Sequence, residues 1–170
     1  MGLTTDRNNP DLGYGVDESP VEQNKVYLVL SEDEIAKGFV KPYRDSYKHI
    51  GKKSKYPLRP LTEEENERYS KYDYIAFEPY PESELPQTGR FWTQKQLDNQ
   101  GCGVITKMDH LISETYARDP WFYGSTYCVG CNMHRPLDEF VWEPDGESMN
   151  PSDWSNEEIM RIKELRKNDK

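Results

Sequence analysis

The chain has 170 residues and a net charge of −9, with only 34% hydrophobic residues and 12% aromatic ones. So acidic a chain is a poor general binder of phosphate backbones, it holds no apolar run long enough to span a bilayer, and its 12 tyrosines and 4 tryptophans argue against disorder throughout. Its first residues lack the apolar stretch of a secretory leader, and three cysteines, an odd number, point to a reducing cytoplasm rather than a disulfide scaffold.

Residues 1–24 are rich in Asn, Asp, Pro and Gly without hydrophobic period, and are expected to form an extended or disordered arm. The run 25–30, KVYLVL, reads as a strand. Ser31 with Glu34 makes a capping box for a short helix over 32–37, with Gly38 as its stop. Residues 39–50 alternate loosely around Pro42, which suits an edge strand. Thr62 with Glu65 opens a second helix to about residue 71, and 72–78 alternates as a strand. A proline-rich loop follows, and Thr93 with Gln96 caps a short helix through 98. Thr106 is expected to begin a better helix, with Met108, Leu111, Ile112, Thr115 and Tyr116 on one stripe and Asp119-Pro120 as its end. Two short strands, 125–128 and 139–142, flank a knuckle. Ser155 with Glu158 caps a final charged helix to about 167, whose thin stripe of Ile159, Ile162 and Leu165 should dock weakly. The expected organisation is an arm over 1–24, an α+β domain over 25–150 and a charged helix within 151–170. The domain should combine a small mixed or antiparallel sheet, short helices and a hairpin resembling a zinc ribbon.

The chemistry concentrates in TYCVGCNMHRPLDEFVW. Cys128 and Cys131 have the C-x2-C spacing that lets one tight turn offer two thiolates about 2.3 Å from a zinc ion. Gly130 is expected to let that turn bend through positive φ. His134 follows Cys131 by the same interval, and Cys102 sits between Gly101 and Gly103, which suits a sharp turn presenting a thiolate. Cys102, Cys128, Cys131 and His134 thus form a candidate Cys3His set for structural zinc. His110 is the rival fourth donor, but it stands apart from the knuckle, and His49 lies in a basic strand with no partner near it in sequence. Buried inert cysteines and a redox pair are the competing readings. Against the latter, His134-Arg135-Pro136 rather than an amphipathic helix follows the pair.

No zinc-deaminase, H-E-x-x-H, P-loop, G-x-S-x-G or Rossmann pattern occurs, and no catalytic residue is assigned. One segment opposes the global charge: 41–59 carries seven basic residues, Lys41, Arg44, Lys48, Lys52, Lys53, Lys55 and Arg59, against Asp45 alone, with Tyr43, Tyr47 and Tyr56 interleaved. Such a patch serves a nucleic-acid groove, an acidic protein partner, or the protein's own acids.

The stretches KVYLVLSEDEIAKGFVKPYRDSYKH, YPLRPLTEEENERY, FEPYPESE, GRFWTQKQLD, GCGVITKM and ISETYARDPWFYGSTYCVGCNMHRPLDEFVW span most of 25–142. On these the chain resembles a family of small uncharacterised proteins of tailed bacteriophages. The resemblance implies a phage protein made in the cytoplasm of an infected bacterium. It also implies that Cys102, Cys128, Cys131 and His134 are the recurring Cys/His positions, whereas His110 matches no family histidine. It carries over no substrate and no catalytic residue. The leading expectation is therefore a non-enzymatic, zinc-stabilised binding protein acting on a host or viral protein, without a membrane or nucleic-acid partner. The alternatives are a virion component held by its N-terminal arm and a nucleic-acid-acting enzyme using 41–59.

Overall fold

Frequent capping residues and turn formers, with no long apolar run, cut this chain into short elements. The computed structural model, which describes residues 2–13, 23–81 and 89–167, is a mixed α+β structure with several small antiparallel sheets. In chain order the elements are β1 (Gly2–Thr4), β2 (Val26–Leu28), α1 (Glu32–Ile35), β3 (Ser46–His49), β4 (Arg59–Pro60), α2 (Glu63–Arg68), β5 (Tyr74–Pro79), β6 (Gly89–Thr93) and α3 (Gln94–Asp98). There follow β7 (Ile105–Lys107), α4 (His110–Arg118), β8 (Ser125–Cys128), β9 (Met133–Pro136), β10 (Phe140–Trp142) and α5 (Asn156–Lys167). No helix of the described residues is long and apolar enough to cross a membrane.

The chain forms two compact units, Met1–Ile50 with Cys102–Lys170, and Gly51–Gly101. These are not the divisions expected at 24 and 150, because prolines and capping boxes mark local turns and not which distant segments close on each other. Of the expected N-terminal arm, 14–22 lies outside the described residues. Its start is extended: β1 runs parallel to β2, pairing Gly2 with Val26 and Thr4 with Leu28.

In the first unit β3 is the middle strand of a sheet ordered β10-β3-β7, antiparallel on both sides. This corrects the edge-strand expectation. Pro42 lies before the strand, and the true strand alternates with Tyr47 and His49 buried and Lys48 exposed. The segment expected to start a helix at Thr106 instead forms β7, and Asp109 caps α4 by accepting from the Leu111 amide at 2.8 Å. The helical stripe is where it was expected, with Ile112, Thr115 and Tyr116 buried. Strand β8 pairs with β9 in a hairpin, whereas β10 joins β3, so the two strands expected to flank the knuckle belong to different sheets. The core gathers Val29, Tyr47, Ile112, Tyr116, Phe140 and Trp142 around Cys128. Rings supply the bulk that aliphatic residues lack here, many packed edge-to-face, as for Tyr47 on Phe140 and Tyr116 on Trp142.

The second unit is an antiparallel sheet ordered β4-β5-β6 with α2 and α3. Strand β6 falls in a segment the sequence marks only as loop and helix cap. Trp92 and Glu78 are almost wholly buried, and the indole Nε1 donates to Glu78 Oε1 at 3.0 Å. The same carboxyl group accepts from the Lys55 and Tyr56 amides, so its buried oxygens are satisfied by hydrogen bonds.

Helix α5 docks more firmly than its stripe suggests. Ile162 is wholly buried with Val40 and Trp154, Lys41 Nζ reaches Glu158, and Arg166 reaches Asp119. Leu165, the third member of the stripe, stays exposed. Ile162→Ala should therefore cost about 2–4 kcal/mol in chemical denaturation, while Leu165→Ala should stay within about 0.5 kcal/mol. Equal effects would mean that the helix does not dock through Ile162.

Candidate metal centre

Antiparallel pairing of β3 with β7 sets the first two donors side by side. The ladder runs from Ser46 opposite Lys107 to Lys48 opposite Ile105. It continues as the His49 amide donates to the Val104 carbonyl at 3.3 Å and the Gly103 amide to the His49 carbonyl at 2.9 Å. Gly101 and Gly103, both at positive φ, turn the chain sharply on either side of Cys102. The Cys102 amide then donates to His49 Nδ1 at 3.2 Å. Residues 53 apart in sequence thus become neighbours.

The other two donors come from the turn of the β8–β9 hairpin. Its anchor is Thr106, whose buried hydroxyl accepts from the Val129 amide at 3.2 Å and ties the turn to β7. The Asn132 amide donates to the Cys128 carbonyl at 2.8 Å, closing the turn. Gly130 does not take the expected positive φ; Asn132 does, at 55°. Gly130 is required for space instead. A Cβ there would lie 2.6 Å from Cys102 Sγ and 2.8 Å from Val104 Cβ.

The result is a cluster of His49, Cys102, Cys128 and Cys131 whose donor atoms all lie within 4.8 Å of one another. Sγ of Cys102 and Sγ of Cys128 are 3.3 Å apart, and Cys131 Sγ is 3.4 Å from His49 Nδ1. Tetrahedral zinc with sulfur at about 2.3 Å and nitrogen at about 2.0 Å needs donor separations of roughly 3.5–3.8 Å. The two short separations lie a few tenths of an ångström below that range, and the 4.8 Å limit on the others lies within about 1 Å above it, so small side-chain movements would fit the set to such an ion. Cys128 is buried, Cys131 half-buried and Cys102 exposed, which leaves a way in from solvent.

All three expected cysteines converge, but His134 does not join them. The hairpin pairs Tyr127 with His134 and Cys128 with Met133. Successive strand residues point to opposite faces, so His134 shares the Tyr127 face, away from Cys128. There its ring meets Tyr127 at 5.3 Å between centroids, and its Nε2 bonds to the Tyr27 hydroxyl at 3.0 Å. His110 stands exposed at the start of α4 beside Asp109. The fourth member of the cluster is His49, and the signal for it was the inward phase of Tyr47 and His49 on one strand.

The thiols are unequal. Burial pushes Cys102 up, but hydrogen bonds from the Val104 amide, Cys128, His49 and Cys131 outweigh it and lower its pKa to about 7. Burial raises Cys128, partly offset by the Cys131 and Gly130 amides, and pushes Cys131 up to about 12. Burial depresses His49, yet hydrogen bonds with Glu139 and Cys102 leave it raised. Without a cation, then, the cluster holds at most one ready thiolate near neutral pH, and an ion entering it must displace protons.

No protein-family model, curated protein or solved structure matches the chain.

Metal affinity distinguishes the two histidines better than melting temperature does, because His134 also packs against Tyr27 and Tyr127. By competition with a chromophoric chelator, His49→Ala should lose more affinity than the ~10–100-fold typical of changes outside the donor set. His134→Ala should stay within that range. The reverse order would return the fourth donor to the hairpin.

Proposed function

We propose that Cys102, Cys128, Cys131 and His49 hold one zinc ion as a structural centre, and that the protein is a zinc-stabilised binding protein of phage type acting on a protein partner in the cytoplasm of an infected bacterium. The observation that carries this reading is the closed donor set of three sulfurs and one imidazole. Thiolates with imidazole suit zinc, whereas hard cations take oxygen donors. Four protein donors complete a tetrahedron and leave no position for water or substrate, so the ion's work is to hold chain segments together.

Part of the basic segment answers the protein's own acids, which counts against a nucleic-acid groove. Lys41 reaches Glu147 and Glu158, Arg44 reaches Asp145 and Glu147, and Arg59 reaches Glu65. Lys41 and Arg44 are themselves buried, with their charged groups over the Trp154 and Trp142 rings. Lys41 and Arg44, engaged inside the fold, are not offered to phosphates, and a chain at −9 repels them overall.

Protein purified without added metal should carry about one zinc per chain, and a strong chelator should lower its melting temperature, because the ion's binding energy is folding energy. Zinc-free protein with unchanged stability in the chelator would overturn the structural centre. A short duplex or single strand should bind no tighter than micromolar at about 150 mM salt, and submicromolar binding would favour the nucleic-acid-acting alternative instead.

A further inference from the structure

His49 can offer the sulfurs only one of its two ring nitrogens, and the surroundings of the ring select which. Its Nε2 lies 2.9 Å from Oε1 of Glu139, a carboxylate left only 3% exposed. Its Nδ1 faces the other way, 3.4 Å from Cys131 Sγ and 3.2 Å from the Cys102 amide that donates to it. An ionised carboxylate is acceptor only, so Nε2 must carry the proton. An amide that donates to Nδ1 needs a lone pair there. Both contacts demand the same tautomer.

Glu139 is itself held. Arg135 donates to it through Nε at 3.2 Å and Nη2 at 2.9 Å, a two-pronged charge-assisted pair. The Glu139 carbonyl accepts from the Ile50 amide at 2.9 Å, and Phe140, paired with His49 across β10 and β3, lays its ring 4.8 Å from the imidazole. The Arg135 partner makes the buried carboxylate nearly neutral as a pair, so it polarises Nε2–H without adding a full negative charge beside three thiolates.

We propose that Glu139, supported by Arg135, is a positioning residue that holds His49 with Nε2 protonated, and so makes Nδ1 the nitrogen that binds the metal. The proposal rests on the metal-centre reading above and adds to it the donor atom and the outer contact that selects it. The lone pair that accepts from the Cys102 amide is the one a metal would take. Outer contacts of this kind orient a ligating histidine and raise its basicity.

The chain has 3 histidines, so protein labelled with 15N-histidine gives a readable long-range proton–nitrogen spectrum. With one equivalent of zinc, wild-type His49 should show a proton on Nε2 and a metal-shifted Nδ1, while the His110 and His134 signals keep their zinc-free patterns. Glu139→Gln keeps the size of the side chain and removes the charge. It should lower zinc affinity ~10–100-fold and broaden or mix the His49 tautomer pattern. Arg135→Gln, which leaves the carboxylate in place, should do the same to a smaller degree. A merely structural Glu139 would lower the stability of zinc-free and zinc-loaded protein alike and leave affinity and tautomer unchanged, and that result overturns the proposal. Zinc on Nε2 of wild-type His49 overturns it as well, without needing any variant to fold. Absence of zinc binding by the wild type would instead overturn the metal centre itself.

Discussion

Three sulfur atoms crowded in one place need something to answer for their protons or their charge. Here the crowding is built into the backbone: the β3–β7 ladder places Cys102 beside His49, Thr106 holds the Cys128–Cys131 turn against β7, and Gly130 leaves the gap that Cys102 Sγ fills. Burial makes thiolates costly at Cys128 and Cys131, so without a cation the cluster must stay largely protonated. A divalent ion would replace several protons with one charge and turn mutual repulsion into shared attraction. Cys128 is also a member of the main core, so the state of the cluster bears directly on the packing around it.

The two donors on the sheet flank a long excursion of the chain. Residues 51–101 leave directly after His49 and Ile50 and return directly before Cys102, so an ion bridging His49 and Cys102 would close that loop. Loop closure is where a metal clip gains most over the unfolded chain. The ladder between β3 and β7 already closes the same loop with backbone hydrogen bonds, and a bound ion would reinforce it.

Charged residues take up core positions that a chain with more aliphatic residues would fill with them. Lys41, Arg44, Arg118, Glu78 and Glu139 are buried, and each meets partners across long sequence separations or through backbone amides. Buried pairs of this kind add little net stability over apolar replacements, but breaking one partner leaves an uncompensated charge. Their effect is to specify which segments meet: Arg118 ties α4 to α1 through Glu34, and Lys41 ties the segment before β3 to α5.

Local signals in the sequence determined much of this. Thr62 with Glu65 and Thr93 with Gln96 form full capping boxes, Asp119-Pro120 ends α4, and the Ile112, Thr115 and Tyr116 stripe is buried, because caps and 3.6-residue periodicity are properties of a few consecutive residues. The two glycines around Cys102 and the C-x2-C turn likewise announced three of the four residues of the cluster. What the tertiary structure alone decided was long-range pairing. Nothing near Ser46–His49 says that this strand lies between β10 and β7, so neither the 51–101 excursion nor His49 as fourth member of the cluster could be read from spacing. His134 was the natural choice in sequence, three residues from Cys131, but strand geometry turns each successive side chain to the opposite face, and the register of one hairpin sent it to Tyr27 and Tyr127 while the register of a different sheet delivered His49 to the sulfurs.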